Sequence, residues 1–157
     1  MALSVRIKIN GRDVEVHAAA DMTLSTLLRE QLRLTGTHVG CDTASCGACT
    51  VLLDGCAVKS CNVLVAQLQG REVTTIEGIA TPSGALHPMQ SAFKTCHGLQ
   101  CGFCTPGMVL SAIDLVTHHP HGTDEEIRAG LDGNFCRCTG YQNIVRAIAL
   151  GARAMGR

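Results

Sequence analysis

The sequence predicts an α+β chain in two parts: a small mixed sheet packed on one helix, then a bundle of four short helices. Three observations carry this. Near the N-terminus apolar residues alternate with polar ones, as on a half-buried strand. From about residue 88 the apolar spacing changes to three and four, as on a helix face. Between the two, residues 78–84 read GIATPSG, a run of turn-forming residues. That run divides a first domain, 1–78, from a second, 79–157.

In the first part, Val5, Ile7 and Ile9 form one strand face. Asn10-Gly11 is a two-residue hairpin signal, and Val14 and Val16 resume the alternation. Thr23 can cap a helix whose stripe is Leu24, Leu27, Leu28 and Leu32. Thr50–Leu53 reads as a strand before the Asp54-Gly55 turn, and Arg71–Ile76 as another. In the second part, Pro88 suits the first turn of a helix ending near Thr95. Thr105-Pro106 reads as a cap and first-turn proline for a helix with Met108, Val109, Ala112, Ile113 and Val116 on its apolar face. Thr123 and Glu126 make a capping box ahead of Ile127 and Leu131. Thr139 is the expected cap of the last helix, which carries Ile144, Val145 and Ile148.

Charge excludes some classes. Lys plus Arg number 13 and Asp plus Glu 13, with no basic patch, which argues against a nucleic-acid binder. At 46% hydrophobic and 17% charged the chain is not disordered. No apolar run approaches the roughly 18 residues of a membrane span. The opening MALSVRIKIN reads as a strand rather than an export signal, so the expected location is the cytoplasm.

Cysteine is the outlier, at 10 of 157 residues. In a reducing compartment such a count points to metal binding rather than disulfides. Cys41, Cys46 and Cys49 are spaced C-x4-C-x2-C in GCDTASCGACTVLLDGCAVKSC, and Cys61 follows. This is plant-type ferredoxin spacing for a [2Fe–2S] cluster, with a shorter gap before the fourth ligand. Gly40, Ala44, Ser45, Gly47 and Ala48 keep the loop small, so backbone N–H groups can approach sulfur. Cys101 and Cys104 in QCGFCTPG, with Cys136 and Cys138 in GNFCRCTGY, offer four more thiolates. Spacing alone leaves structural zinc open for this second set, although C-x-C chelates zinc poorly. Both cysteine pairs precede an expected helix start, where the positive helix end favours an anionic cluster.

Cys56 and Cys96 remain, and both read as small buried hydrophobes. Cys56 also competes with Cys61 as fourth ligand of the first set. His118, His119 and His121 straddle Pro120 and read as an exposed helix end rather than a metal site.

These motifs resemble the small iron–sulfur subunit of the molybdenum hydroxylases, the xanthine dehydrogenase, aldehyde oxidase and carbon monoxide dehydrogenase family. GCDTASCGACTV is similar to the family's ferredoxin loop, and QCGFCTPGM and GNFCRCTGYQNI to its C-terminal signatures. The resemblance covers about Val5 to Ala149. It implies a β-grasp ferredoxin domain and a four-helix domain, each holding one [2Fe–2S] cluster. It implies a large molybdopterin-binding subunit and a medium FAD-binding subunit as partners, assembled as a dimer of heterotrimers. Electrons would pass from molybdenum to the helical-domain cluster, then to the other cluster, then to FAD. Gln100 and Cys138 would lie against the pterin. No residue of this chain would act as acid, base or nucleophile, and substrate choice would rest with the large subunit. Two rivals stand beside this reading: a free two-cluster ferredoxin shuttle, and a zinc-stabilised interaction module without redox activity.

Overall fold

The computed structural model describes residues 2–157. Strands β1 (Ala2–Ile9) and β2 (Arg12–Ala19) pair antiparallel, with Val5 opposite Val16 and Ile7 opposite Val14. The Asn10-Gly11 turn is as expected: both residues have positive φ, 50° and 77°, matching the twist of a hairpin. Thr23 accepts a hydrogen bond from the Thr26 N–H and caps a short helix, α1 (Leu24–Thr26). The helix widens into a π-helical turn over Leu27–Gln31. Leu24, Leu27 and Leu28 are fully buried under the sheet.

A long irregular loop then leads to β3 (Thr50–Leu53), β4 (Cys56–Lys59) and β5 (Glu72–Thr74). The sheet order is β2-β1-β5-β3-β4, with β1 and β5 parallel and the other pairs antiparallel. β4 was not foreseen, because CAVK is too short to show alternation. β5 is shorter than the expected Arg71–Ile76, since Ile76–Gly78 turns into a 3₁₀ helix.

The second half holds α2 (Pro88–Thr95), α3 (Thr105–His118), α4 (Asp124–Gly130) and α5 (Gln142–Ala154). They bury a second core that includes Met89, Phe93, Met108, Ile127, Ile144 and Ile148, separate from the core beneath the sheet. The Thr123/Glu126 capping box is present. Two caps differ from expectation. Cys104, not Thr105, is the N-cap of α3. α5 starts after Tyr141, which takes a left-handed conformation (φ 67°). Thr139 instead accepts from the Tyr141 N–H at 3.1 Å and so shapes the turn before the helix.

The halves meet where α3 packs on β3 and β4. Their approach is backbone to backbone: a Cβ on Gly107 would lie 2.3 Å from Gly47 O. Asn134 bridges the seam, accepting from Ser111 Oγ at 3.0 Å and donating to Gly47 O at 3.3 Å. Among the described residues no helix is long and apolar enough to cross a membrane.

Candidate metal centres

Cys41, Cys46 and Cys49 lie on the irregular loop before β3. Cys61 lies in a 3₁₀ turn, Ser60–Asn62, just after β4. The β3–β4 hairpin brings the two together: Ser60 donates from its N–H and hydroxyl to Cys49 O, at 3.3 and 2.7 Å. Loop backbone points at sulfur, with Cys46 N–H donating to Cys41 Sγ at 3.4 Å. That bond, helped by N–H groups of Thr43 and Ser45, lowers the Cys41 thiol to about 6. Burial, then the nearby thiols of Cys49, Cys41 and Cys46, push Cys61 up to about 11. The four sulfurs therefore share one neighbourhood. Cys56 is exposed rather than buried, which corrects the expectation for it. Cys96 is half-buried against the helical core.

The second set sits between helices. Cys101 is in the turn before α3, Cys104 is at its N-cap, and Cys136 and Cys138 lie between α4 and α5. Cys138 Sγ is 3.5 Å from Cys101 Sγ. Burial and then the Cys136 thiol push Cys104 up to about 12. At Cys136 burial also pushes upward, but hydrogen bonds from the Thr139 hydroxyl and N–H outweigh it and lower the thiol. Cys101 is lowered, chiefly by the Phe103 N–H, and Cys138 is raised by its contact with Cys101. In both sets some thiols ionise easily and others resist. Four sulfurs this close cannot all be anionic unless a cationic centre lies between them.

The donor sets fit two iron–sulfur clusters. Each offers four thiols, the ligand complement of a [2Fe–2S] core. The first loop also keeps space around sulfur, since a Cβ on Gly40 would come 3.2 Å from Cys46 Sγ. Gln100 is exposed beside Cys101 and Cys138, which are exposed as well. Phe103, at 48% exposure, borders the same surface.

The sequence reading missed the residues that hold these loops. Tyr141 Oη accepts from the Cys136 N–H at 2.8 Å and donates to Asn134 O at 3.1 Å, closing the C-x-C turn. Phe135 N–H donates to Cys46 O at 2.8 Å and ties one cysteine loop to the other. His38 stacks on Phe103, ring centres 4.7 Å apart, with Nδ1 2.7 Å from Phe103 O. One signal was available: Tyr141 is the single tyrosine, three residues after Cys138.

Two clustered thiol sets on short backbone-lined loops define a two-cluster iron–sulfur protein. Comparison with known proteins agrees. Residues 7–75 match the 2Fe-2S iron-sulfur cluster binding domain family, and residues 75–149 the [2Fe-2S] binding domain family. The chain is 48% identical to the nicotine 6-hydroxylase small subunit of Paenarthrobacter nicotinovorans, over 93% of this chain and 87% of that one. It is 45% identical to caffeine dehydrogenase subunit gamma of a Pseudomonas species, over 92% of this chain and 87% of that one. The solved structure of quinoline 2-oxidoreductase from Pseudomonas putida 86 superposes with TM-score 0.93 at 38% identity, covering 99% of this chain and 97% of that one. The chain belongs to the small iron–sulfur subunits of the molybdenum hydroxylases, and it is an oxidoreductase subunit with two [2Fe–2S]-binding domains.

Proposed function

We propose that this chain relays single electrons from a molybdopterin centre on a large partner subunit to FAD on a medium partner subunit. A [2Fe–2S] cluster, when bound, takes up and releases one electron at a time. Cys41, Cys46, Cys49 and Cys61 are the ligands of one cluster, and Cys101, Cys104, Cys136 and Cys138 of the other. Residues 1–78 are read as a β-grasp ferredoxin domain and 79–157 as a four-helix bundle domain; the two separate cores support that division.

The observation that carries the proposal is the asymmetry of exposure. Cys101 and Cys138 reach the surface beside Gln100, whereas Cys49 is buried and the rest of its set half-buried. The exposed edge suits a docked cofactor, so Gln100 and Cys138 are assigned to the pterin contact. The chain's own work is positional. Thiolates hold, small loop residues admit backbone N–H groups to sulfur, and the Phe135–Cys46 hydrogen bond keeps the two loops in register. A dimer of heterotrimers in the cytoplasm completes the proposed assembly.

The test is a native pull-down on a tag fused to this chain, with metals and flavin counted. The expected result is about four irons per chain, with molybdenum and FAD in near-equal amounts. Iron without molybdenum or flavin would instead identify a free ferredoxin shuttle, and zinc in place of iron would overturn both readings.

A further inference from the structure

We propose that the seam between the two halves carries a separate site for a divalent transition-metal ion of the zinc class, made by Cys56, Asp114 and His118. One ligand atom from each lies within 4.8 Å of the other two. The residues come from both halves. The two-residue Asp54-Gly55 turn, with φ 48° and 85°, delivers Cys56 as the first residue of the edge strand β4. Asp114 and His118 are spaced i and i+4 on α3, and so share a face. Because α3 packs on β4, that face meets the hairpin.

Three features favour a cation here. The donor set combines thiolate, carboxylate and imidazole, the ligand types zinc takes, and three protein ligands leave a fourth position open. Metal binding would use Cys56 as thiolate and Asp114 as carboxylate, two negative charges facing a divalent ion; the thiol proton leaves to solvent. Asp114 Oδ1 is buried, and its polar neighbour is another of the three donors. The nearest group able to serve it is the His118 ring, with Nδ1 2.8 Å away. Metal–ligand bonds of about 2.0–2.3 Å place neighbouring tetrahedral donors roughly 3.5 Å apart, so a pair at the 4.8 Å limit would close by about 1 Å, whereas Asp114 Oδ1 and His118 Nδ1, now 2.8 Å apart, would separate slightly if both bound the ion.

The site opens into a cavity of about 450 Å³ that includes His119, Lys59 and Asp132. The fourth position faces this cavity, where water can complete the coordination. The Lys59 ammonium is turned toward Gly133, where an added Cβ would come within 2.9 Å of it. A metal held here would pin the β3–β4 hairpin to α3, joining the two halves at their outer seam.

The test uses the holoprotein with its clusters intact, dialysed against chelator-buffered Zn2+. Zinc and iron are then counted together. The expected result is about one zinc per chain beyond the iron, with iron unchanged. Cys56→Ser and His118→Gln should each weaken zinc binding by at least about tenfold, and His121→Ala should leave it unchanged. Alkylation of Cys56 by iodoacetamide, read by peptide mass spectrometry, should slow when zinc is present. Equal zinc content in wild type and both variants, zinc uptake matched by iron loss, or alkylation indifferent to zinc would each overturn the site.

Discussion

Gly107→Ala tests whether the two halves meet backbone to backbone. The new Cβ would lie 2.3 Å from Gly47 O and 3.1 Å from Ala48 O. A carbon–oxygen contact needs roughly 3.3 Å, so about 1 Å of separation is required. Neither oxygen can retreat by a side-chain rotation. Both belong to the loop carrying Cys46 and Cys49, and that loop is also tied to Phe135. Overpacking of this kind costs about 1–3 kcal/mol. Replacing a helical glycine by alanine returns at most about 1 kcal/mol. A net loss of about 1–2 kcal/mol lowers the melting midpoint by about 2–8 °C for a chain of this size. The assay is thermal unfolding of the holoprotein, followed by far-ultraviolet circular dichroism and cluster absorbance, with iron counted beforehand. Gly122→Ala is the comparison, because its Cβ would meet nothing closer than 3.7 Å. It should shift stability by no more than about 0.5 kcal/mol. A Gly107→Ala midpoint equal to or above wild type, with iron retained, would refute the close approach.

Cys138→Ala should remove the helical-half cluster and leave the other, halving the iron and abolishing one of two electron paramagnetic resonance signals; loss of both or neither contradicts independent sites. Cys61→Ala should abolish the first cluster while Cys56→Ala keeps it, and the opposite result would exchange their roles. Asn134→Ala leaves Ser111 Oγ without its buried acceptor, while Gly47 O keeps its hydrogen bonds from Thr50, and should cost about 1–3 kcal/mol by chemical denaturation. Asp54 accepts from the Glu72 N–H and pairs with Arg71, which together hold its carboxyl below the ordinary range. Its charge therefore stabilises the fold above the unfolded carboxyl value, and that contribution is lost as pH falls through the folded one. The difference in melting midpoint between wild type and Asp54→Asn should be steady near pH 7, begin to shrink below about pH 5 and go on shrinking as pH falls past about 4.

The grouping of cysteines within each loop was legible because it is local. Cys41 to Cys49 span one loop, and Cys101 and Cys104 one turn, so their grouping needs no tertiary information. The hairpin at Asn10-Gly11 and the Thr123 capping box were legible for the same reason. What escaped the sequence depends on residues far apart in the chain. Asn134 reaches Gly47, and Phe135 reaches Cys46, only once the halves have docked. Thr105 and Thr139 have the chemistry of caps, yet each was displaced from that role. Cys104 starts α3 one residue earlier, and the left-handed Tyr141 starts α5 two residues later. Cys56 was misjudged because burial of a cysteine is a statistical preference. On an edge strand directly after a turn, the fold leaves it in solvent.

The contacts between the two cysteine loops have a shared property. Phe135 N to Cys46 O, Gly107 against Gly47, and Asn134 to Gly47 O all involve backbone atoms of the first loop. A separation held by side chains would shift with each rotamer change or substitution. One held by backbone changes only if a loop or helix moves as a unit. Electron transfer demands a constant distance between centres more than it demands any reactive group. The seam therefore accounts for why Gly47 and Gly107 must lack a Cβ, and why a change at either should alter both halves together.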